Sequence, residues 1–180
     1  MSSTPISASD LVEIEQIKRL KYKYLRCLDQ KLWDEIAECF KPDATAAYSG
    51  GKYAFDDAEA IVAFLRQAMG ADSFHSSHRV HHPEIELTSE TVATGVWALE
   101  DVVIDTRFEI TIRGAAFYED EYVKVDGEWK IRHTGYRRTY EEMQPRKEVP
   151  GLKLTASWWA SGGRSELDAR ANPAPAGTSS

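Results

Sequence analysis

Residues 91–140 read TVATGVWALEDVVIDTRFEITIRGAAFYEDEYVKVDGEWKIRHTGYRRTY, and this stretch decides the fold. It is rich in β-branched and aromatic residues, and apolar positions alternate with polar ones. That period of two belongs to strands with one face on a core. The pattern predicts strands over 91–104, 111–125 and 128–140. Asp126-Gly127, between the last two, is a strong hairpin signal because both residue types tolerate the positive φ that a tight turn demands. Just upstream, 79–87 reads as another strand.

Toward the N-terminus the period changes to that of a helix. Leu11, Ile14, Ile17, Leu20, Tyr24, Leu25 and Leu28 recur at helical spacing, which predicts a long amphipathic helix capped by Asp10 and ending near Asp29. A short second helix is expected over 33–40, stopped by Pro42. Residues 44–48 read as a short strand before a Gly50-Gly51 turn. Asp56 and Asp57 are good caps for a third helix carrying Ile61, Val62, Phe64, Leu65 and Met69, with Gly70 as its stop. Three helices followed by about four long antiparallel strands is an α+β order. Strands of this length curl, and helices lying in the hollow make a cone-shaped molecule with a deep pocket.

The chain of 180 residues has room for one domain with a proper core. Residues 1–9 are expected to be a flexible N-terminus, 10–142 the catalytic domain, and 143–180 an extension that becomes disordered toward its Gly-, Pro-, Ala- and Ser-rich end. Trp158-Trp159 is an isolated aromatic pair in that extension, suited to anchoring the tail on its own or a neighbouring subunit or to capping the pocket mouth. A net charge of −7 and no basic stripe exclude nucleic acid as the expected partner and give no reason to expect a membrane surface. No leader-like segment and no apolar run of about 18 residues is visible, so a cytoplasmic location is expected. Cys27 and Cys39, among apolar neighbours, read as buried free thiols.

Several residues stand out as candidates for chemistry. Asp29 sits at a helix end, where a carboxylate opposes the helix dipole and needs a reason to be there; orienting a histidine would be one. His75, His78, His81 and His82 crowd one strand entry. Their spacing does not match a zinc site, so a general base is the better reading, and no metal is expected. Strict alternation from Ile85 and Leu87 turns His81 inward and His78 outward, unless a bulge at His82-Pro83 reverses the parity. Asp101, in WALED, shares its face with Trp97 and Leu99. A carboxylate on that inner face must be paired, hydrogen-bonded or protonated. Alternation from Trp129 and Ile131 turns Arg137 inward rather than Arg138, unless Gly135 breaks it. Tyr24 lies on the apolar stripe of the first helix. Tyr48, His81, Trp97 and Phe117 are assigned as substrate-binding. The picture is a largely apolar pocket with a few polar groups, suited to moving protons on a greasy small molecule.

The runs EIEQIKRLKYKYLRCLDQKLWDE, HRVHHPEIELTSETVATGVWALED, GAAFYEDEYVKVDGEWKI and TGYRRTYEE resemble the bile-acid 7α-dehydratases. These belong to the SnoaL-like branch of the nuclear-transport-factor-2-like (NTF2-like) superfamily, beside scytalone dehydratase and ketosteroid isomerase. The similarity covers residues 12–142. It implies Tyr24, Asp29, His78, Asp101 and Arg138 as the catalytic set, so it favours His78 over His81 and Arg138 over Arg137. His82 departs from the small residue typical before that proline. The resemblance further implies a vinylogous loss of water from a 7α-hydroxy-3-oxo-4-ene steroid or bile acid, no cofactor, and a homo-oligomer, either dimer or trimer. Two other readings use the same fold: an isomerase or polyketide-cyclase-like enzyme, and a non-catalytic binding module. A His–Asp pair argues against the isomerase, whose base is a carboxylate alone.

Overall fold

The computed structural model describes residues 6–167. Part of the expected flexible N-terminus and most of the expected disordered tail lie outside those residues. The chain divides into two compact units, 1–144 and 145–180.

In the first unit, helix α1 runs Ala8–Asp29 and α2 runs Trp33–Ala37. Strands β1 (Phe40–Tyr48) and β2 (Tyr53–Phe55) precede helix α3 (Ala58–Met69). Four long strands follow: β3 (Phe74–Leu87), β4 (Val92–Asp105), β5 (Ile110–Val125) and β6 (Glu128–Pro145). They form one curved six-stranded sheet in the order β2-β1-β6-β5-β4-β3. The fold is therefore α+β, with β1 pairing parallel to β6 and antiparallel to β2.

The start of α1 lies earlier than expected. Ser7 is the N-cap, and Asp10 is its capping-box partner three residues on: the Ser7 side chain accepts from the Asp10 amide while the Asp10 carboxylate accepts from the Ser7 amide. Helix α2 is shorter than expected, and Pro42 does not stop it but sits inside β1. The β1–β6 register shifts across that segment, between Phe40 and Thr45, where a proline lacks the amide a ladder needs. Asp57 caps α3, and Gly70 closes it. Asp126 and Gly127 both take positive φ, 49° and 85°, as the hairpin requires.

One face of the sheet and the inner faces of α1 and α3 enclose the core. Ile17, Tyr24, Cys27, Ile36, Ile61, Trp97, Tyr122 and Ile131 have no solvent exposure. Cys27 and Cys39 are free and buried, and burial pushes the Cys39 thiol up to about 12.

The second unit holds a 3-10 turn at Arg146–Glu148 and a four-residue helix, α4 (Trp158–Ser161). Ser157 caps α4 by accepting from the amides of Trp159 and Ala160, and Gly162 ends it at φ 59°. Trp158 is largely exposed.

Candidate active site

The polar centre forms where the end of α1 meets β3. Asp29 Oδ1 lies 2.7 Å from His78 Nδ1, Asp29 Oδ2 accepts from the His78 backbone amide at 2.9 Å, and the Ser76 hydroxyl donates to Oδ1 at 2.8 Å. Burial pushes the Asp29 carboxyl up. The bonds from the His78 ring, its amide and Ser76 outweigh that and hold it below the ordinary aspartate range. A carboxylate against Nδ1 fixes the proton there and leaves Nε2 as the basic nitrogen.

His78 faces inward because β3 carries a bulge. His81 pairs with Ala98, but Glu84 pairs with Val96, so β3 has one residue more than β4 between those pairs. His82 absorbs the kink at φ 44°. Ser76, His78 and Val80 thus share a face with Ile85 and Leu87, while Arg79 and His81 turn out. The expected substrate contact at His81 is corrected accordingly: its ring is 44% exposed and lies 3.7 Å from Glu100 on the outer face.

In the β3–β4 ladder His78 stands directly opposite Asp101. Cross-strand neighbours have Cβ atoms about 5 Å apart. Alternation along β4 is unbroken, so Trp97, Leu99 and Asp101 are all buried. Arg138 grips Asp101 with two bonds, Nη1 to Oδ1 and Nη2 to Oδ2, the latter 2.9 Å long. Gly114, opposite Asp101 on β5, makes room for that guanidinium: a Cβ there would come within 2.8 Å of Arg138 Nη1.

Arg138 rather than Arg137 is inside because β6 changes parity between Ile131 and Thr134, both fully buried. This break lies upstream of Gly135, whose own role is close approach: a Cβ there would sit 2.8 Å from the Ala47 carbonyl oxygen of β1. Arg137 lines a small cavity of about 160 Å³ with His133 and Phe117. Phe117 is 50% exposed, so the expectation that it lines the substrate is also corrected; its neighbours Ala116 and Tyr118 hold the inner positions.

From Arg138 a chain of rings leads back to α1. The guanidinium lies 5.1 Å from the Tyr136 ring centre, and Tyr136 lies 5.9 Å from Tyr48. The hydroxyls of Tyr48 and Tyr24 are 3.1 Å apart. Arg138-bound Asp101 is thus joined through Tyr136 to Tyr48 and Tyr24, while the Asp29–His78 pair stands beside Asp101 as its neighbour across the ladder. Burial raises the hydroxyls of Tyr24 and Tyr48 well above the ordinary phenol range, so both stay protonated and able to donate. Trp97 is buried and donates to the Tyr122 hydroxyl at 2.9 Å. A cavity of about 450 Å³ lies against the pair, lined by Tyr22, Leu25, Asp29, Gln30, Ser76 and His78 among others.

Sequence reasoning missed Ser76, Gly114 and Tyr136. It also missed a second buried polar cluster. Lys21 and Asp120 are both fully enclosed, 2.7 Å apart. Tyr122 and Thr134 donate to the Asp120 carboxylate, each at 2.7 Å. Alternation through Ala116, Tyr118, Asp120 and Tyr122 was the signal that could have found it.

The model of the SnoaL-like domain matches residues 9–135, and the chain belongs to that family. Among solved structures, a proposed scytalone dehydratase from Novosphingobium aromaticivorans is 25% identical, with a TM-score of 0.69 over 87% of this chain and 97% of that one. A hexachlorocyclohexane dehydrochlorinase, LinA-type3 from Novosphingobium barchaimii, is 19% identical, with a TM-score of 0.69 over 80% of this chain and 94% of that one. ActVI-ORFA from Streptomyces coelicolor is 16% identical, with a TM-score of 0.60 over 70% of this chain and 96% of that one. Among the described residues no helix is long and apolar enough to cross a membrane.

Proposed function

We propose that this protein is a hydro-lyase that removes the 7α-hydroxyl, as water, from a 3-oxo-4-ene steroid or bile acid held against the inner face of the sheet. The observation that carries this reading is the Asp29–His78 pair set directly opposite the Arg138-bound Asp101. A base with a free Nε2 beside a second polar group is what an elimination needs, whereas a binder has no use for it. Two of the structural relatives are named for eliminations, one of water and one of hydrogen chloride.

In this mechanism His78 takes the proton from C6. The electrons of that C–H bond move through the C4–C5 double bond to the C3 oxygen and form a dienolate. Tyr24, paired with Tyr48, donates to that oxygen as its charge grows. The electrons then return, the C7–O bond breaks, and the departing hydroxide takes a proton to leave as water. Asp101 has both oxygens accepting from a permanent cation, so it is an acceptor rather than an acid. The proton is returned by the His78 imidazolium, and Asp101 orients the leaving group. No step calls for a metal or cofactor.

Conversion of the enone to a conjugated dienone moves its ultraviolet band to longer wavelength. Wild-type protein mixed with a 7α-hydroxy-3-oxo-4-ene bile acid is expected to give that shift, and His78→Ala to lose it by about 10²-fold or more, with His81→Ala close to wild type. No shift with either the free acid or its coenzyme A thioester refutes the substrate. Full activity in His78→Ala refutes the base.

A further inference from the structure

Lys21 occupies the apolar stripe of α1, four residues after Ile17 and three before Tyr24, with no solvent exposure. A leucine would fill that position without a charge to bury. Replacing a buried ion pair by apolar residues is often neutral or stabilising, so packing alone does not explain a lysine here. The arrangement around it has a direction. Asp120 is held at the far side, its oxygens accepting from Tyr122 and Thr134. The Lys21 ammonium lies 2.7 Å from Asp120 Oδ2, without the angles of a hydrogen bond. On its other side it lies 3.4 Å from the centre of the Tyr118 ring and 5.0 Å from that of Tyr24. The pair is thus a fixed dipole. Its negative end accepts from two hydroxyls, and its positive end lies beside the tyrosine rings. Burial lowers the Lys21 ammonium from the ordinary lysine range, and the Asp120 charge beside it opposes that shift and favours the charged form; the Tyr24 hydroxyl meets that of Tyr48.

We infer that the Lys21–Asp120 pair is a positioning device for the oxyanion end of the site: the Lys21 ammonium beneath Tyr118 and Tyr24 strengthens the hydroxyl that Tyr24 donates to a developing enolate. The inference rests on the dehydratase reading for the identity of the oxygen, but not for the electrostatics. A phenol donates more strongly when positive charge sits beside its ring, and a low-dielectric interior magnifies that charge. Lys21 touches no substrate in this scheme; it acts through Tyr24. The groups facing it are Tyr24 on α1, Tyr118, Asp120 and Tyr122 on β5, and Thr134 on β6.

The test uses the neutral double variant Lys21→Met with Asp120→Asn, which removes both charges together, keeps an acceptor for one of the Tyr122 and Thr134 hydroxyls and offers the other an amide donor to accept from. Two readouts are needed. The first is kcat and KM with the 7α-hydroxy-3-oxo-4-ene substrate. The second is independent of turnover: a steroid with a phenolic A-ring is bound, and its ultraviolet spectrum reports the pH at which the bound phenol ionises. Strong donors around the phenol oxygen lower that pH. The wild type is expected to lower it relative to water. The double variant, with an unchanged Tm, is expected to lose most of that lowering and to lose kcat by about 10- to 100-fold, with KM little altered. A double variant that keeps both kcat and the phenol shift overturns the inference. So does a wild-type protein that binds the phenol without lowering its ionisation, a result that stands even if the variant fails to fold. Wild-type protein that shifts the phenol through Lys21 but never dehydrates the steroid sinks the proposed reaction and leaves this inference intact.

Discussion

Gly114→Ala is a demanding test of how the inner site is assembled. Gly114 stands opposite Asp101 in the β4–β5 ladder, on the buried face. An added Cβ would lie 2.8 Å from Arg138 Nη1, 2.9 Å from the Tyr140 carbonyl oxygen and 3.4 Å from Arg138 Cζ. Ordinary contact begins near the last of these values, so the first two are short by about half an ångström each. The guanidinium can slide, but only by loosening its two bonds to Asp101. The Tyr140 carbonyl belongs to β6 and cannot move without the strand. Overpacking of this kind costs about 1–3 kcal/mol, which for a domain of this size lowers Tm by roughly 3–10 °C. Displacement of Arg138 adds a loss of turnover while the Asp29–His78 pair stays in place. The assay is thermal unfolding followed by circular dichroism, with steady-state kinetics on the same samples. In an Arg138→Ala background the side-chain half of the clash is gone, so the added penalty of Gly114→Ala is expected to be smaller. A Gly114→Ala protein with wild-type Tm and activity would show that neither the guanidinium nor β6 is held where the structure puts it.

Asp29 titrates below the ordinary aspartate range in the folded protein, so its contribution to stability is complete above its unfolded value, about 3.9, and is lost as pH falls through the lower native value. The gap in denaturation midpoint between wild type and Asp29→Asn is therefore expected to be constant from about pH 7 to 5 and to close below about pH 4; a gap that persists at the acid end contradicts the hydrogen-bonded carboxylate. Tyr24→Phe keeps the edge contact with Phe40 but removes the donor, so kcat should drop by about 10²-fold with KM nearly constant, and a defect confined to KM would rule out the oxyanion role. At His82, where φ is 44°, glycine should be neutral or stabilising by up to about 1 kcal/mol, and valine destabilising by about 1–2 kcal/mol. Urea midpoints decide it, and equal stability of the two variants would mean that the bulge does not depend on this residue.

What could be read from the sequence was whatever depends on local or strictly periodic signals. The long first helix, the Asp57-capped third helix, the Asp126-Gly127 turn and the inward Asp101 all follow from spacing along one element. The failures share a cause: a single break in alternation turns every later side chain over. One extra residue at His82-Pro83 brings His78 inside, and a change between Ile131 and Thr134 does the same for Arg138; resemblance, not parity, selected both. Pairing between distant segments left even less trace. Pro42 reads as a helix stop, yet it lies in a strand whose partner is β6, some 90 residues later. Lys21 was invisible for another reason. A lysine among leucines reads as the polar edge of a stripe, and only the position of Asp120 on β5 shows that it is enclosed.

The bond from the His78 amide to Asp29 bears on solubility as well as chemistry. Strand β3 is an outer strand of the sheet, so its main-chain amides on the free side are open to pairing with any extended peptide. One of those amides is already taken by the Asp29 carboxylate, and α1 brings that negative charge directly onto the exposed rim. A second chain trying to add a strand there would meet an occupied donor and a partly exposed anion in its intended ladder. The carboxylate that holds the His78 ring therefore also occupies a donor on a strand edge, and loss of Asp29 undoes both contacts at once.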